Sequence, residues 1–224
     1  MRKLITISRR SAESARPGRM QRPGLRSLAV CSGEASGYSL VELMFVSGLI
    51  VSLSGMAVPQ LLNGLDDYRA AGAARYISTR MQRARMEALT RATEVAIQFT
   101  QVGADYIYAV YMDGNHDGVR TKDIKDGIDP RVGSDERLSD HFTGVEFGAQ
   151  PGLPAVDAGS APGDDPIRLG ASNMASFSSM GTASSGSVFI RSRRNAQYVV
   201  RIFGTTAKIR VLKFDQRARQ WKPL

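Results

Sequence analysis

Residues 36–48 read SGYSLVELMFVSG, where an apolar run opens behind a glycine–tyrosine pair and carries one acid, Glu42, close to its start. From Tyr38 to Leu62 the chain continues for 25 residues with Glu42 as its single charge. At about 1.5 Å per residue a helix of that length crosses a hydrocarbon core of about 30 Å. The basic residues lie before the run, which by the positive-inside rule predicts a cytoplasmic N-terminus and a C-terminal domain across the membrane. Pro59 lies within the run and predicts a kink near residues 55–59, while Gly48 and Gly55 offer small-residue contact points to neighbouring helices. An ionised carboxylate in such a segment costs about 2.5–3.5 kcal/mol on insertion scales unless a cation meets it. Glu42 therefore requires a partner or an interfacial position.

The helical pattern does not stop at the end of the apolar run. Leu61, Leu65 and Tyr68 form one stripe, and Ala73, Ile77, Met81, Ala84 and Ala88 follow at steps of three and four. Arg75, Arg80, Arg83, Arg85 and Arg91 mostly take the other faces. From Glu94 the period drops to two: EVAIQFTQ and DYIYAVYMD read as strands paired across a turn at Val102–Ala104. An acidic, loop-rich stretch is expected from Asp113 to Asp140, a short strand at Val145–Phe147, and a Pro/Gly/Ala surface loop over residues 149–166. SVFIRSR, AQYVVRIFG and AKIRVLKFD predict three closing strands in an antiparallel meander. The pattern thus predicts an α+β fold, a long N-terminal helix whose first half is membrane-embedded and whose second half packs on an antiparallel β-sheet domain. Four segments follow: a leader at 1–37, a membrane helix at 38–62, its amphipathic continuation at 63–93 and a β-rich domain at 94–224.

Charge is unevenly spread over these segments. The formal +9 arises from +6 in residues 1–37, −6 in 38–186 and +9 in 187–224. Without the leader, the basic character belongs to the C-terminal end alone. The one cysteine, Cys31, lies in the leader, so no intramolecular disulfide forms and the cysteine count does not discriminate between compartments. The leader is basic and irregular, as a targeting segment or an over-extended start would be, and Met20 is an alternative start.

Glycine, acid and proline at these offsets resemble the class III signal of type IV prepilins and of type II secretion pseudopilins. That resemblance implies cleavage by a prepilin peptidase between Gly37 and Tyr38 and N-methylation of Tyr38. It makes Glu42 the fifth and Pro59 the twenty-second residue of the mature chain. In the family the acid pairs with the α-amino group of a neighbouring subunit. GEAS precedes Gly37 here in place of a basic pair. Further along, ISTRMQRARMEALTRATEVAIQF, FSSMGTASSGSVFIRS and YVVRIFGTTAKIRV are similar to the helix-to-strand passage and closing strands of GspH/FimT-type minor pseudopilins, with Ala207–Lys208 in place of the usual Gly-Arg. The resemblance implies a pilin-like structural subunit of the inner membrane. Such a subunit acts in protein transport or pilus assembly, and its partners are other pilin subunits and the peptidase.

Two further patterns are candidates for binding. DGNHDGVRTKD, residues 113–123, resembles a calcium loop, with Asp113, Asn115 and Asp117 at alternate positions, Asp123 as the closing acid at the eleventh rather than the twelfth place, and Asp126 and Asp129 as acids able to substitute for it. An Asx-rich turn without metal explains the same residues. Arg191/Arg193 and Lys208/Arg210 share one face of their strands, and Arg201 and Lys213 are expected to extend the stripe. Such a stripe can neutralise phosphates, and because some FimT-like pilins are DNA receptors, a DNA-uptake pilin is the alternative function. A solvated face or a surface for acidic filament neighbours is the plainer reading. His116 and His141 have no nucleophile beside them, and the serines at 176–187 lack a G-x-S-x-G turn, so no enzyme is expected.

Overall fold

The computed structural model describes residues 37–157 and 161–224. The leader, with Met20 and Cys31, lies outside the described residues apart from Gly37. Contacts divide the chain between Val46 and Ser47, and the packing below is that of residues 47–224.

Helix α1 runs continuously from Leu40 to Arg91 with Pro59 inside it. Its buried face begins only at Ala70 and then follows Ala73, Ala74, Ile77, Met81, Ala84 and Ala88, the predicted stripe. The expected extension of that stripe back through Leu61, Leu65 and Tyr68 is not covered: these side chains are 64%, 47% and 75% exposed. They lie on the face of α1 opposite the core, since Tyr68 to Ala73 is a step of five residues, whereas Asn63, Asp66 and Asp67 on the core side do meet the second sheet. At its C-terminal end Ala92 turns left-handed (φ 52°), and Thr93 is tied by its hydroxyl, which donates to the Asp113 carbonyl at 3.1 Å. That closes the helix and aims the chain into the sheet.

Two antiparallel sheets follow. The first has the order β3-β2-β1-β6, from β1 (Val95–Val102), β2 (Asp105–Met112), β3 (Arg131–Arg137) and β6 (Met174–Phe177). The second has the order β10-β9-β8-β7-β4, from β4 (Val145–Phe147), β7 (Gly186–Ser192), β8 (Gln197–Phe203), β9 (Lys208–Asp215) and β10 (Gln220–Pro223). The short β5 (Ile167–Arg168) also pairs with β7. The helix face shares one core with both sheets: Val95, Ile97 and Phe99 of β1, Val188 and Ile190 of β7, and Tyr198, Val200 and Ile202 of β8. Alternate residues of the same strands point outward. Phe189 and Val199 meet Leu153, Phe214 and Trp221 on the outer face of the second sheet, and Trp221 Nε1 donates to the Pro154 carbonyl at 3.2 Å. Ala96 and Met174 meet Val119 on the outer face of the first.

Three expectations change. The stretch 113–140 is not loop alone: it contains α2 (Thr121–Asp126), the edge strand β3 and α3 (Leu138–His141). The strand RVGSDER is almost wholly exposed and charged, as edge strands are, and so lacks the apolar alternation that marks a strand. The loop from residue 149 is not purely a surface feature, since Leu153 is buried. The meander gains a fourth strand, β10, which seats Trp221.

Candidate functional site

Ser39 opens α1 as its cap: its Oγ accepts the Glu42 N–H at 3.1 Å, and its carbonyl accepts the Leu43 N–H at 3.1 Å. Ser39-x-x-Glu42 is the sequence form of a capping box, which puts the carboxylate in the first turn, where the helix dipole favours it. Tyr38 is 76% exposed, and so are the large apolar side chains that follow, from Leu40 to Leu65, at 42–74%. Among the described residues, α1 is the one helix long and apolar enough to cross a membrane by length and composition.

Just beyond the apolar run, α1 is fastened to the second sheet. Tyr198 Oη donates to Asp67 Oδ1 at 2.8 Å, and Lys213 Nζ reaches Asp67 Oδ2 at 2.7 Å. Ser192 Oγ and the Arg194 N–H donate to Asp66 Oδ2, and Arg194 Nη1 donates to Asn63 Oδ1 at 3.1 Å. Burial pushes the Tyr198 hydroxyl well above its ordinary value of 10.0, and the bond to Asp67 adds to the rise. About three turns on, a second fastening joins α1 to the first sheet. Tyr76 and Tyr108 hydroxyls donate to Glu136 Oε2 at 2.7 and 2.9 Å, and Arg80 pairs with Oε1. Burial pushes the Glu136 carboxyl up, but the two hydroxyls and then the Arg80 and His141 charges prevail and hold it below 4.5. Both fastenings escaped the sequence reading because their partners lie 56–146 residues away. The signal available was Asp66–Asp67, the first acids after Glu42.

The candidate calcium residues lie in a loop closed on its own amides. Asp113 is buried; its Oδ1 accepts the Asn115 and His116 N–H groups at 3.1 and 2.7 Å, and its Oδ2 accepts that of Gly118 at 2.9 Å. Asn115 Oδ1 accepts the Asp117 N–H at 3.3 Å, and Asp117 pairs with Arg120 at 2.8 Å. Asp123 is buried in α2. Asp129, a substitute closing acid in the sequence, is 1% exposed and accepts from the Gly114 and Arg120 amides. Gly114 is required here, because a Cβ would lie 2.1 Å from the Ile128 carbonyl oxygen. Burial raises the Glu94 carboxyl, and the nearby Asp113 and Asp129 add to the rise against the Val119 and Ser176 bonds. Among the described residues, no group of three His, Cys, Asp or Glu side chains is disposed to hold a metal ion.

The six C-terminal cations do not form one stripe. Lys213 stands an odd number of residues from Arg210, so it takes the opposite face of β9 and pairs with Asp67. Arg191 pairs with Glu146 at 2.7 Å and Arg201 with Asp157 at 2.6 Å. Arg193 donates its backbone N–H to the Gly144 carbonyl. What the fold does assemble is Arg201 and Arg210, opposite each other on β8 and β9, both stacked on Phe203 at 5.6 and 5.5 Å. Lys208, directly opposite Phe203, lies beside them.

The family model described as type II transport protein GspH matches residues 73–206, which spans the second half of α1 through β8. Among curated proteins, dialkyldecalin synthase from Streptomyces rugosporus is 32% identical over 158 residues, covering 67% of this chain and 34% of that protein. The chain thus spans about a third of that relative's length. No solved structure matches.

Proposed function

Because the chain belongs to the GspH family of type II transport proteins, we propose that it is a minor pseudopilin, a structural subunit without catalysis of its own that is processed at its leader and built into a secretion filament. The observation that carries the proposal is the uncovered apolar face of α1. From Leu40 to Leu65 its large apolar side chains are exposed, a face that only hydrocarbon or other helices can bury. At about 25 cal/mol per Å² of apolar surface, a segment of this size has a strong drive to leave water. The lipid bilayer of the inner membrane holds it first, with the N-terminus cytoplasmic and the domain periplasmic. Neighbouring subunits hold it afterwards.

Processing between Gly37 and Tyr38 creates a new α-amino group at the start of the helix. Methylated on Tyr38, that amine stays cationic and pairs with Glu42 of an adjacent subunit, which matches the two charges in register and removes the cost of Glu42 in hydrocarbon. Pro59 has no N–H for the helix ladder and lets α1 bend as subunits stack. Asp66 and Asp67 keep the domain oriented on the helix. A pilus of the related type is the alternative assembly.

Mass spectrometry of the mature chain, co-expressed with a prepilin peptidase, tests the proposal. The expected product begins at an N-methylated Tyr38. An intact leader, with the chain held as a membrane anchor, overturns it. Glu42→Gln is expected to be cleaved normally yet to enter filaments poorly.

A further inference from the structure

The stripe Leu61, Leu65 and Tyr68, uncovered on α1, leads somewhere. Spaced at four and three, it runs along one helix face to Gly72, Arg75, Tyr76 and Thr79, which with Arg69 and Phe142 line an open cleft of about 460 Å³. Gly72 keeps the cleft open, since even a Cβ there would lie 3.2 Å from the Phe142 ring. Tyr76 packs on Phe142 with ring centres 5.7 Å apart, and these two rings form an aromatic wall of the cleft, with His141 beside Tyr76 at 5.2 Å but outside the lining. Arg69 and Arg75 are exposed and make no side-chain hydrogen bond or ion pair among the described residues, although the Arg75 charge acts on the Tyr198 hydroxyl and opposes its rise. Other charged groups near them are already committed: Asp66 and Asp67 to the second sheet, and Glu136 to Tyr76, Tyr108 and Arg80. The apolar run ends at Leu62, and at about 1.5 Å per residue Tyr68 and Arg69 stand about 10 Å beyond it. That is the depth of a headgroup layer, where tyrosine and arginine anchor best.

We propose that this cleft binds an anionic phospholipid, its phosphate between Arg69 and Arg75, its glycerol against Tyr68 and Tyr76, and an acyl chain along Leu65 and Leu61. The proposal rests on the membrane reading above. The combination selects this ligand: a track continuous with the membrane segment, followed by two cations without a carboxylate partner among the described residues, over an aromatic wall. An apolar helix of a second copy would bury the track but leave both arginines unmatched. A soluble anion would match the arginines but leave the track in water. In the filament, such a lipid would travel with the subunit or have to be shed before subunits close on the helix.

The test uses the full chain in nanodiscs of phosphatidylcholine mixed with phosphatidylglycerol, with retained lipids counted by native mass spectrometry. Each arginine near an anionic headgroup is worth about fivefold in binding, so the ratio of phosphatidylglycerol to phosphatidylcholine among retained lipids should exceed that of the disc about 25-fold. Arg69→Ala with Arg75→Ala should lower that ratio about 25-fold, to the level set by the basic leader and the other surface cations, whereas Arg83→Ala, an arginine of the same helix outside the cleft, should keep it. Equal retention of both lipids, or enrichment as large in the double variant as in the wild type, overturns the proposal while leaving the membrane reading intact. A chain that stays out of the discs in the aqueous fraction overturns the membrane reading itself. Concentration-dependent pairing that excludes lipid from the wild-type cleft assigns the track to a second copy and also overturns the proposal.

Discussion

Removing the Glu136 side chain tests how α1 is held to the first sheet. In Glu136→Ala, the Tyr76 and Tyr108 hydroxyls and the Arg80 guanidinium lose their common acceptor in one step. The Glu136 and Arg80 side chains are 18% and 24% exposed, and Arg80 Nε is already buried without a partner, so water replaces the lost carboxylate poorly. Breaking a pair so largely buried costs about 3–5 kcal/mol. For a domain of this size that lowers the melting temperature by about 6–20 °C. Glu136→Gln keeps an acceptor for the hydroxyls but not the charge opposite Arg80, and should lose about 1–3 kcal/mol. A second signature comes from pH. The folded carboxyl sits below its ordinary value of 4.5, so its contribution is present above that value and is lost as pH falls through the folded one. The acid side of the stability profile should therefore be shallower in Glu136→Gln than in wild type. Thermal melts of the full chain in detergent, followed by the fluorescence of the single tryptophan, Trp221, read both effects. A melting temperature unchanged in the alanine variant, or identical acid slopes in wild type and Glu136→Gln, would refute the reasoning.

Two further perturbations test the other fastenings. Asp67→Ala strips Tyr198 and Lys213 of their partner, which should lower stability by about 1–3 kcal/mol and bring the Tyr198 titration back toward 10.0 in an alkaline absorbance scan. A Tyr198 titration unmoved by the change would show that burial alone raises it. Asp113→Ala releases three backbone amides and should cost about 2–3 kcal/mol in the same melts. Millimolar calcium added to the wild type should leave its melting temperature unchanged, because the loop is closed by its own amides; a rise of several degrees would instead assign the loop a cation.

Ala207 shows how residue patterns and conformation meet. It stands where the resemblance expects glycine, and it adopts φ 47°, a left-handed conformation that favours glycine. Its methyl group is wholly buried in the common core, which offsets part of that strain. The departure from the motif thus left the β8–β9 turn in place.

The sequence by itself determined the helix and its continuation. A 3.6-residue period and a run of apolar residues are local properties, and Ala73, Ile77, Met81, Ala84 and Ala88 face the core as their spacing requires. It also determined β1, β2 and the β7–β8–β9 meander, whose strands are apolar enough to declare themselves. Tertiary structure decided what depends on distant partners. It set β3 and β10 on sheet edges, where charged residues hide the strand signal. It ended the buried apolar face at Ala70, because further back the same face carries Asn63, Asp66 and Asp67, whose bonding partners on the second sheet only the fold supplies. It also turned Lys213 from a member of a basic stripe into the partner of Asp67. The reason is the two-residue alternation of a strand, which makes face an absolute property once register is fixed.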